Sequence, residues 1–153
     1  MKNHYLKTIY SKQRRPKTDY PVKLAHHIIL KYGLVKGKIL DVGCGRGEML
    51  NAFSLRGFEV YGADLDSDAK ELCKPHRIEI CDFENEKIAY EDNYFDYIFS
   101  KSVVEHLNNP LIVSKEIYRM LKPGGKIILM TPSWQHTRWG PFYLDFTHKT
   151  PFT

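Results

Sequence analysis

Lys38-Ile-Leu-Asp-Val-Gly-Cys-Gly-Arg-Gly47 runs directly into Glu48-Met-Leu-Asn-Ala-Phe-Ser-Leu-Arg56, and this junction decides the fold. Ile39, Leu40 and Val42 make a short, almost wholly apolar segment, the pattern of a strand buried on both faces of a parallel sheet. Gly43, Gly45 and Gly47 then supply backbone without Cβ atoms, where the chain must turn sharply and a ligand needs close approach. The segment from Glu48 reads as a helix that stops at Gly57, a residue suited to the position after a helix end. In a strand–turn–helix unit of this kind the ligand lies beyond the carboxyl end of the strand. A second apolar run, Glu59-Val-Tyr-Gly-Ala-Asp64, closes on an acid placed to take both hydroxyls of a ribose.

The glycine register narrows the nucleoside. A dinucleotide fingerprint, G-x-G-x-x-G/A, needs a third small residue so that helix and strand pack closely beneath a pyrophosphate. Here that position is Glu48, and a carboxylate in the first helical turn repels a pyrophosphate seated on the helix N-terminus. S-adenosylmethionine carries no phosphate and tolerates the acid. Asp41, just before the glycines, also suits a ligand with an ammonium group. A nicotinamide-dependent oxidoreductase is the rival reading, disfavoured by Glu48 and by the lack of a second catalytic domain.

At this point the chain resembles the class I S-adenosylmethionine-dependent methyltransferases. Asp41-Val-Gly-Cys-Gly-Arg-Gly47 is similar to their first motif, and Tyr61-Gly-Ala-Asp-Leu-Asp66 to the segment holding the second-strand acid. Cys81-Asp-Phe83 matches the stretch whose acid meets the adenine amino group. Phe95-Asp-Tyr-Ile-Phe-Ser100 with Val104-Glu-His-Leu107 looks like the fourth strand and the turn after it, and Leu121-Lys-Pro-Gly-Gly-Lys-Ile-Ile-Leu-Met130 like the turn and fifth strand. The resemblance spans roughly residues 22–132. It implies an α/β fold, a doubly wound Rossmann-like sheet, mostly parallel, in strand order 3-2-1-4-5. It also implies cofactor contacts: Asp41, Gly43, Cys44 and Gly45 near the methionine part, Asp64 on the ribose and Leu65 beside the adenine. Asp82 would accept from the adenine amino group, Phe83 would donate its backbone N–H, and Ser100 would stand where strand carbonyls meet the methionine ammonium.

Periodicity places the other elements. Val22, Leu24, Ala25, Ile28 and Ile29 recur at helical spacing up to Gly33. His26 and His27 on that segment are adjacent and read as structural. Strands are expected near 38–42, 58–63, 77–80, 95–100 and 125–131. Asp66 or Ser67 is the expected N-cap of a short helix before Pro75. Asn109 and Pro110 are a suitable N-cap and N1 pair for a helix over 110–121, with Val113, Ile117, Met120 and Leu121 facing inward.

Composition agrees with one globular domain of 153 residues, 42% hydrophobic and 27% charged. There is no apolar run long enough for a membrane span and no signal-peptide core at the amino end. Cys44, Cys73 and Cys81 form no C-x-x-C pair, so neither a disulfide framework nor a metal site is supported, and a reduced cytoplasmic location is expected. The net charge of +5 is uneven: residues 1–38 hold ten Lys/Arg and one acid, residues 39–121 nine and sixteen. We therefore divide the chain into a basic arm, 1–19, and the cofactor-binding domain, 20–153. Lys12, Arg14, Arg15 and Lys17 with interleaved Tyr5, Tyr10 and Tyr20 read as a solvated segment, or as a strip that tracks nucleic acid. That strip motivates the alternative of a non-catalytic cofactor- or nucleic-acid-binding module.

The chemistry implied is methyl transfer from a sulfonium to a small-molecule acceptor. Where the acceptor is a hydroxyl, a base assists, and histidine is the side chain that titrates near neutral pH. His106, after the fourth strand, and His148, in Tyr143-Leu-Asp-Phe-Thr-His-Lys-Thr-Pro-Phe152, are the two catalytic candidates. The latter stretch is similar to methyltransferases associated with cell-surface polysaccharides, which suggests a sugar-linked acceptor. Trp134, Trp139, Phe142 and Tyr143 either wall the acceptor pocket or pack on the sheet. The family's sheet has seven strands and this chain has five, so the domain reads as C-terminally short. Its last twenty residues, 134–153, are expected to cover the edge of the final strand or to exchange with a second copy in a homodimer.

Overall fold

The computed structural model describes residues 16–145 and 147–152; most of the basic arm, residues 1–15, lies outside them. Five strands form one parallel sheet: β1 (Lys38–Val42), β2 (Glu59–Asp64), β3 (Arg77–Ile80), β4 (Phe95–Lys101) and β5 (Leu121–Met130). Their spatial order is β3-β2-β1-β4-β5, as the resemblance implied. Three longer helices cover the sheet: α1 (Tyr20–Tyr32), α2 (Glu48–Ser54) and α4 (Pro110–Met120). The short α3 (Ala69–Leu72) joins β2 to β3, while α5 (Trp134–Thr137) and α6 (Pro141–Leu144) follow β5.

Alternation along the central strands divides the core between two faces. Ile39, Tyr97 and Phe99 face α1 and α2, where Ala25, Ile28, Ala52 and Phe53 close over them. Leu40, Val42 and Ile98 face α4 and meet Val113, Ile117 and Met120. The two sides are finished by edge-on aromatic pairs, Phe53–Phe99 at 5.5 Å and Tyr61–Phe95 at 5.3 Å between ring centres.

Local chemistry sets the element ends. Helix α1 begins two residues earlier than its apolar spacing suggested, because Pro21 fits the first turn, and it closes on Gly33 at φ 59°. The Asn109 side chain accepts the Leu111 N–H, as an N-cap should. Helix α2 ends at Ser54 rather than Arg56, since Arg56 N–H turns to the Phe53 carbonyl and tightens the last turn. The N-cap of α3 is Asp68, not Asp66 or Ser67. Asp66 instead uses its carboxylate to accept the Asp68 N–H at 2.9 Å and fold the turn before the helix. Strand β5 includes the Lys122–Gly125 turn, and its register against β4 slips between Phe95 and Tyr97.

The tail takes a different course from the one its length suggested. Hydrogen bonds of the described tail run to the turn after β4 rather than along β5: Lys149 and Thr150 N–H both donate to the Glu105 carbonyl. The Thr150 hydroxyl donates to the Leu107 carbonyl, and Phe152 bridges to Ser133. The tail therefore covers the carboxyl ends of the strands, where backbone groups left open by the turn accept it.

Gly43 shows how tightly the first turn is built. It sits at φ +80°, and a Cβ there would stand 2.1 Å from Val103 Cγ2. Gly43→Ala should cost about 1–3 kcal/mol in overpacking plus about 1–2 kcal/mol for the left-handed backbone. Adding Val103→Ala should recover the first part and leave the second, which a double-mutant cycle in denaturant reads directly. Equal stability of Gly43→Ala and the parent would refute the packing argument.

Candidate active site

The site begins where β1 ends. The N–H groups of Gly43 and Cys44 both donate to the Ala63 carbonyl, at 2.8 and 3.2 Å. The Asp64 carboxylate then takes the Gly45 N–H at 2.7 Å on one oxygen and the Asp66 N–H at 2.8 Å on the other. Asp64 is buried to 9% exposure, and its pKa is raised because burial outweighs these hydrogen bonds. Leu65 beside it is half exposed, an apolar side chain left facing solvent at the rim.

Asp41 is the most perturbed carboxyl of this rim. At 3% exposure, burial first and the charge of Asp64 second push its pKa up to about 8, with Lys101 pulling the other way. A buried carboxyl in that state lacks a close cation. Cys44 is buried with Cys73 and Cys81, all three as free thiols. Its thiol pKa is raised far above the usual range, chiefly by hydrogen bonding with Cys73 and by burial. Glu48 is paired with Arg46 at 2.9 Å, so the charge that argued against a pyrophosphate is partly compensated.

Asp82 caps a turn: its oxygens accept the Glu84 N–H at 3.1 Å and the Asn85 side-chain amide at 2.9 Å. Phe83 is buried and belongs to the same α4-side core as Leu40 and Val42. The Ser100 hydroxyl donates to the Val42 carbonyl at 2.9 Å and ties β4 to β1 at the floor of the rim. A groove of about 490 Å³ lies between the turn at Phe83–Lys87 and helix α4, on the outer side of that turn.

The two histidines chosen from sequence, 42 positions apart, meet in space: the rings of His106 and His148 lie 4.8 Å apart. His106 belongs to the short 3₁₀ turn Val104–His106 after β4, and His148 is delivered by the tail. Their hydrogen bonds fix which nitrogen is bare. The Thr147 hydroxyl donates to Asp145 Oδ1 at 2.5 Å, so it accepts from His106 Nδ1 at 2.9 Å. His148 Nδ1 faces the Phe142 carbonyl at 2.8 Å and must donate to it. In the neutral rings both Nε2 atoms are therefore lone-pair donors. Burial works against the Asp145 charge, but hydrogen bonds from the Thr147 hydroxyl and N–H help hold its pKa below the usual range.

Three of the four aromatic candidates form one cluster. Trp134 stands 5.3 Å from Phe142 and 5.6 Å from Tyr143, and the Phe142 ring lies tilted against His148 at 4.6 Å. Trp139 lies outside it, 85% exposed, against Arg138. Lys101, Ser102, Met130, Thr131 and Pro132 line a cavity of about 190 Å³, and Thr131 joins it to Glu105 by its hydroxyl. Sequence reasoning missed Glu105, Thr131, Asp145 and Thr147 as members of this centre. Glu105 looked like part of a turn, and only its adjacency to His106 hinted otherwise.

Comparison with known proteins gives the same picture. The family model described as "Methyltransferase domain" matches residues 11–150. The ubiquinone biosynthesis O-methyltransferase of Pseudomonas savastanoi pv. phaseolicola is 33% identical over 108 residues, covering 66% of this chain and 47% of that protein. The chain thus spans about half the length of the curated relatives it matches. A S-adenosylmethionine-dependent methyltransferase from Archaeoglobus fulgidus superposes with a TM-score of 0.76 at 24% identity, over 98% of this chain and 68% of that one. Phosphoethanolamine N-methyltransferase 2 of Haemonchus contortus, solved with phosphomonomethylethanolamine and S-adenosylhomocysteine, gives 0.71 at 22% identity, over 99% of this chain and 41% of that one. These two likenesses concern the fold. With the glycine turn, the sheet order and the match over residues 11–150 together, the chain belongs to the class I S-adenosylmethionine-dependent methyltransferase family.

Proposed function

We propose that this chain is the methyl-transferring core of an O-methyltransferase that uses S-adenosylmethionine and acts on a small, ring-bearing molecule with a hydroxyl group. The observation that carries it is the meeting of two imidazole rings, each held through its Nδ1, at the turn following β4. The relative named for ubiquinone biosynthesis O-methylation supports an oxygen acceptor. The wall of Trp134, Phe142 and Tyr143 supports a ring. No relative or solved structure reported above is named for a sugar or polysaccharide acceptor, and nothing in the site favours one.

The rim fits the cofactor. The turn at Gly43–Gly45 stands at the strand end where ligands of this fold bind, and the buried Asp41 carboxyl suits the cation that a methionine ammonium supplies. Asp64 keeps free lone pairs for ribose hydroxyls, and Leu65 offers an apolar face to the adenine. Asp82 and the Phe83 N–H are assigned to the adenine edge, and Ser100 to the strand end beneath the methionine. When bound, S-adenosylmethionine supplies a methyl group on a sulfonium that is already a good leaving group. The chain's own residues hold the acceptor in line, an effect worth up to ~7–11 kcal/mol in favourable cases. His106 and His148 lower the cost of removing the hydroxyl proton, while Asp145, Thr147 and the Phe142 carbonyl keep both rings in the required tautomer. The free β5 edge, with Ile127 42% and Leu129 48% exposed, is where we place contact with a second copy. Among the described residues no helix is long and apolar enough to cross a membrane.

Labelled methyl groups from S-adenosylmethionine should pass to hydroxylated aromatic acceptors and not to sugar nucleotides or short RNAs. Transfer to either of the latter would overturn the acceptor class. His106→Ala should lower kcat by roughly 10²–10⁴ and leave S-adenosylhomocysteine affinity within about twofold, read by calorimetry.

Asp41 makes the cofactor step sensitive to pH. Its carboxyl must ionise to face an ammonium, so affinity should rise by up to about tenfold per pH unit between roughly pH 6 and 8. The free protein should show the opposite trend in stability. A folded pKa raised from 3.8 to about 8 means the folded chain holds a proton that the unfolded chain has lost, so stability falls as pH rises through that window. Asp41→Asn should flatten both curves. A cofactor affinity that is flat with pH in the parent would remove Asp41 from the ammonium site.

A further inference from the structure

Glu105 is fully buried, at 0% exposure. One of its carboxylate oxygens, Oε2, accepts the Thr131 hydroxyl at 3.1 Å. The other, Oε1, has no hydrogen-bond partner among the described residues. Burying such an atom unpaired is expensive, and folded proteins do it rarely. Beside it stand the two imidazoles whose Nδ1 atoms are committed to Thr147 and to the Phe142 carbonyl. One donor atom from each of Glu105, His106 and His148 lies within 4.8 Å of the other two. Three lone-pair donors gathered this closely repel one another unless something positive sits between them. A proton can bridge only two of the three.

We propose that Glu105, His106 and His148 bind a divalent first-row transition-metal ion. Two imidazoles and a carboxylate are the donor set that zinc, iron and manganese accept, with bonds near 2.0–2.2 Å that leave room for further ligands. Bonds of that length place neighbouring donors roughly 3–3.5 Å apart, so the observed cluster needs only a small contraction to close on an ion. The supports a metal site requires are already in place. Each histidine donates its second nitrogen to a fixed oxygen, and Asp145 holds one of those oxygens through Thr147. Asp145 Oδ2 also stands 3.8 Å from His148 Nε2, close enough to shift toward the ion. Thr131, whose hydroxyl donates to Glu105, also lines the cavity it shares with Lys101 and Met130.

This inference rests on the O-methylation reading and says how the hydroxyl is activated. The acceptor oxygen coordinates the ion, its O–H bond breaks with the proton leaving to solvent, and the ionised oxygen forms the new O–C bond. The S–C bond breaks with its electron pair remaining on sulfur, so no oxidant or reductant enters. The two histidines are then ligands rather than the first stop of the proton.

The test uses the full chain, stripped with a chelator and titrated with cobalt(II) under visible absorption and with zinc(II) in a calorimeter. One ion per chain is expected, with the intense visible bands of a low-coordinate cobalt centre. His148→Ala and Glu105→Gln should each weaken binding at least tenfold, Asp145→Asn by about tenfold to a hundredfold, and His26→Ala not at all. Circular dichroism melts identify any variant that fails to fold. Because His148 comes from the tail, its variant keeps the test decisive if Glu105→Gln unfolds. No stoichiometric binding, or binding undiminished in folded His148→Ala, overturns the proposal. Methyl transfer that survives complete metal removal also overturns it and leaves the O-methylation reading intact, whereas one bound ion without transfer supports the site and counts against that reading.

Discussion

The clamp between the glycine turn and the end of β2 is the constraint on which the rest of the molecule depends. A chain leaving a buried strand in a sharp turn points several N–H groups inward, and each must find an acceptor. Ala63 takes two of them and Asp64 a third, so the turn after β1 is spelled out by the backbone and one carboxylate of the neighbouring strand. That arrangement requires positive φ at Gly43, Gly45 and Gly47 and leaves no space for a side chain at Gly43. It also spends part of Asp64 on structure. The residue assigned to the ribose is first a residue that holds the turn, and substitutions there will move stability and cofactor affinity together.

Charge is distributed along the carboxyl edge of the sheet by function. On the β1–β2 side the acids Asp41, Asp64, Asp66 and Asp68 are all buried. The pKa values of Asp41 and Asp64 are pushed upward, in both cases chiefly by burial. On the β4 side the acids Glu105 and Asp145 work with two histidines and two threonines. On the proposed reading the first half takes the cofactor's ammonium and ribose, and the second the acceptor. Val103 links the halves physically, since its side chain fills the space beside Gly43 and the next turn carries His106.

The tail completes the second half. Asp145, Thr147 and His148 arrive together, and the backbone after them is anchored by two N–H groups on the Glu105 carbonyl. A segment that looked like cover for a strand edge thus brings one imidazole and the supports of the other. Its anchors are backbone hydrogen bonds to a fully buried residue, which makes the placement of His148 a property of the β4 turn rather than of the tail alone.

Much of this was present in the order of residues. The nearly continuous apolar run Ile39–Val42 and the three glycines determined a strand–turn–helix unit, because glycine takes that backbone without strain and such a run suits a strand buried on both faces of a parallel sheet. The five strands, the Asn109 cap and the acid at Asp64 were legible for the same reason: each is a local rule acting within a few residues. His106 and His148 could be named as candidates, but nothing in their separation of 42 positions says that they meet. Only the tertiary structure decided that, through the fold-back of the tail onto Glu105. It also decided the raised pKa of Asp41, the pairing of Glu48 with Arg46, and the unpartnered oxygen of Glu105. The physical reason is common to all of them. Burial, desolvation and proton placement depend on what surrounds an atom in three dimensions, and those neighbours come from distant parts of the chain.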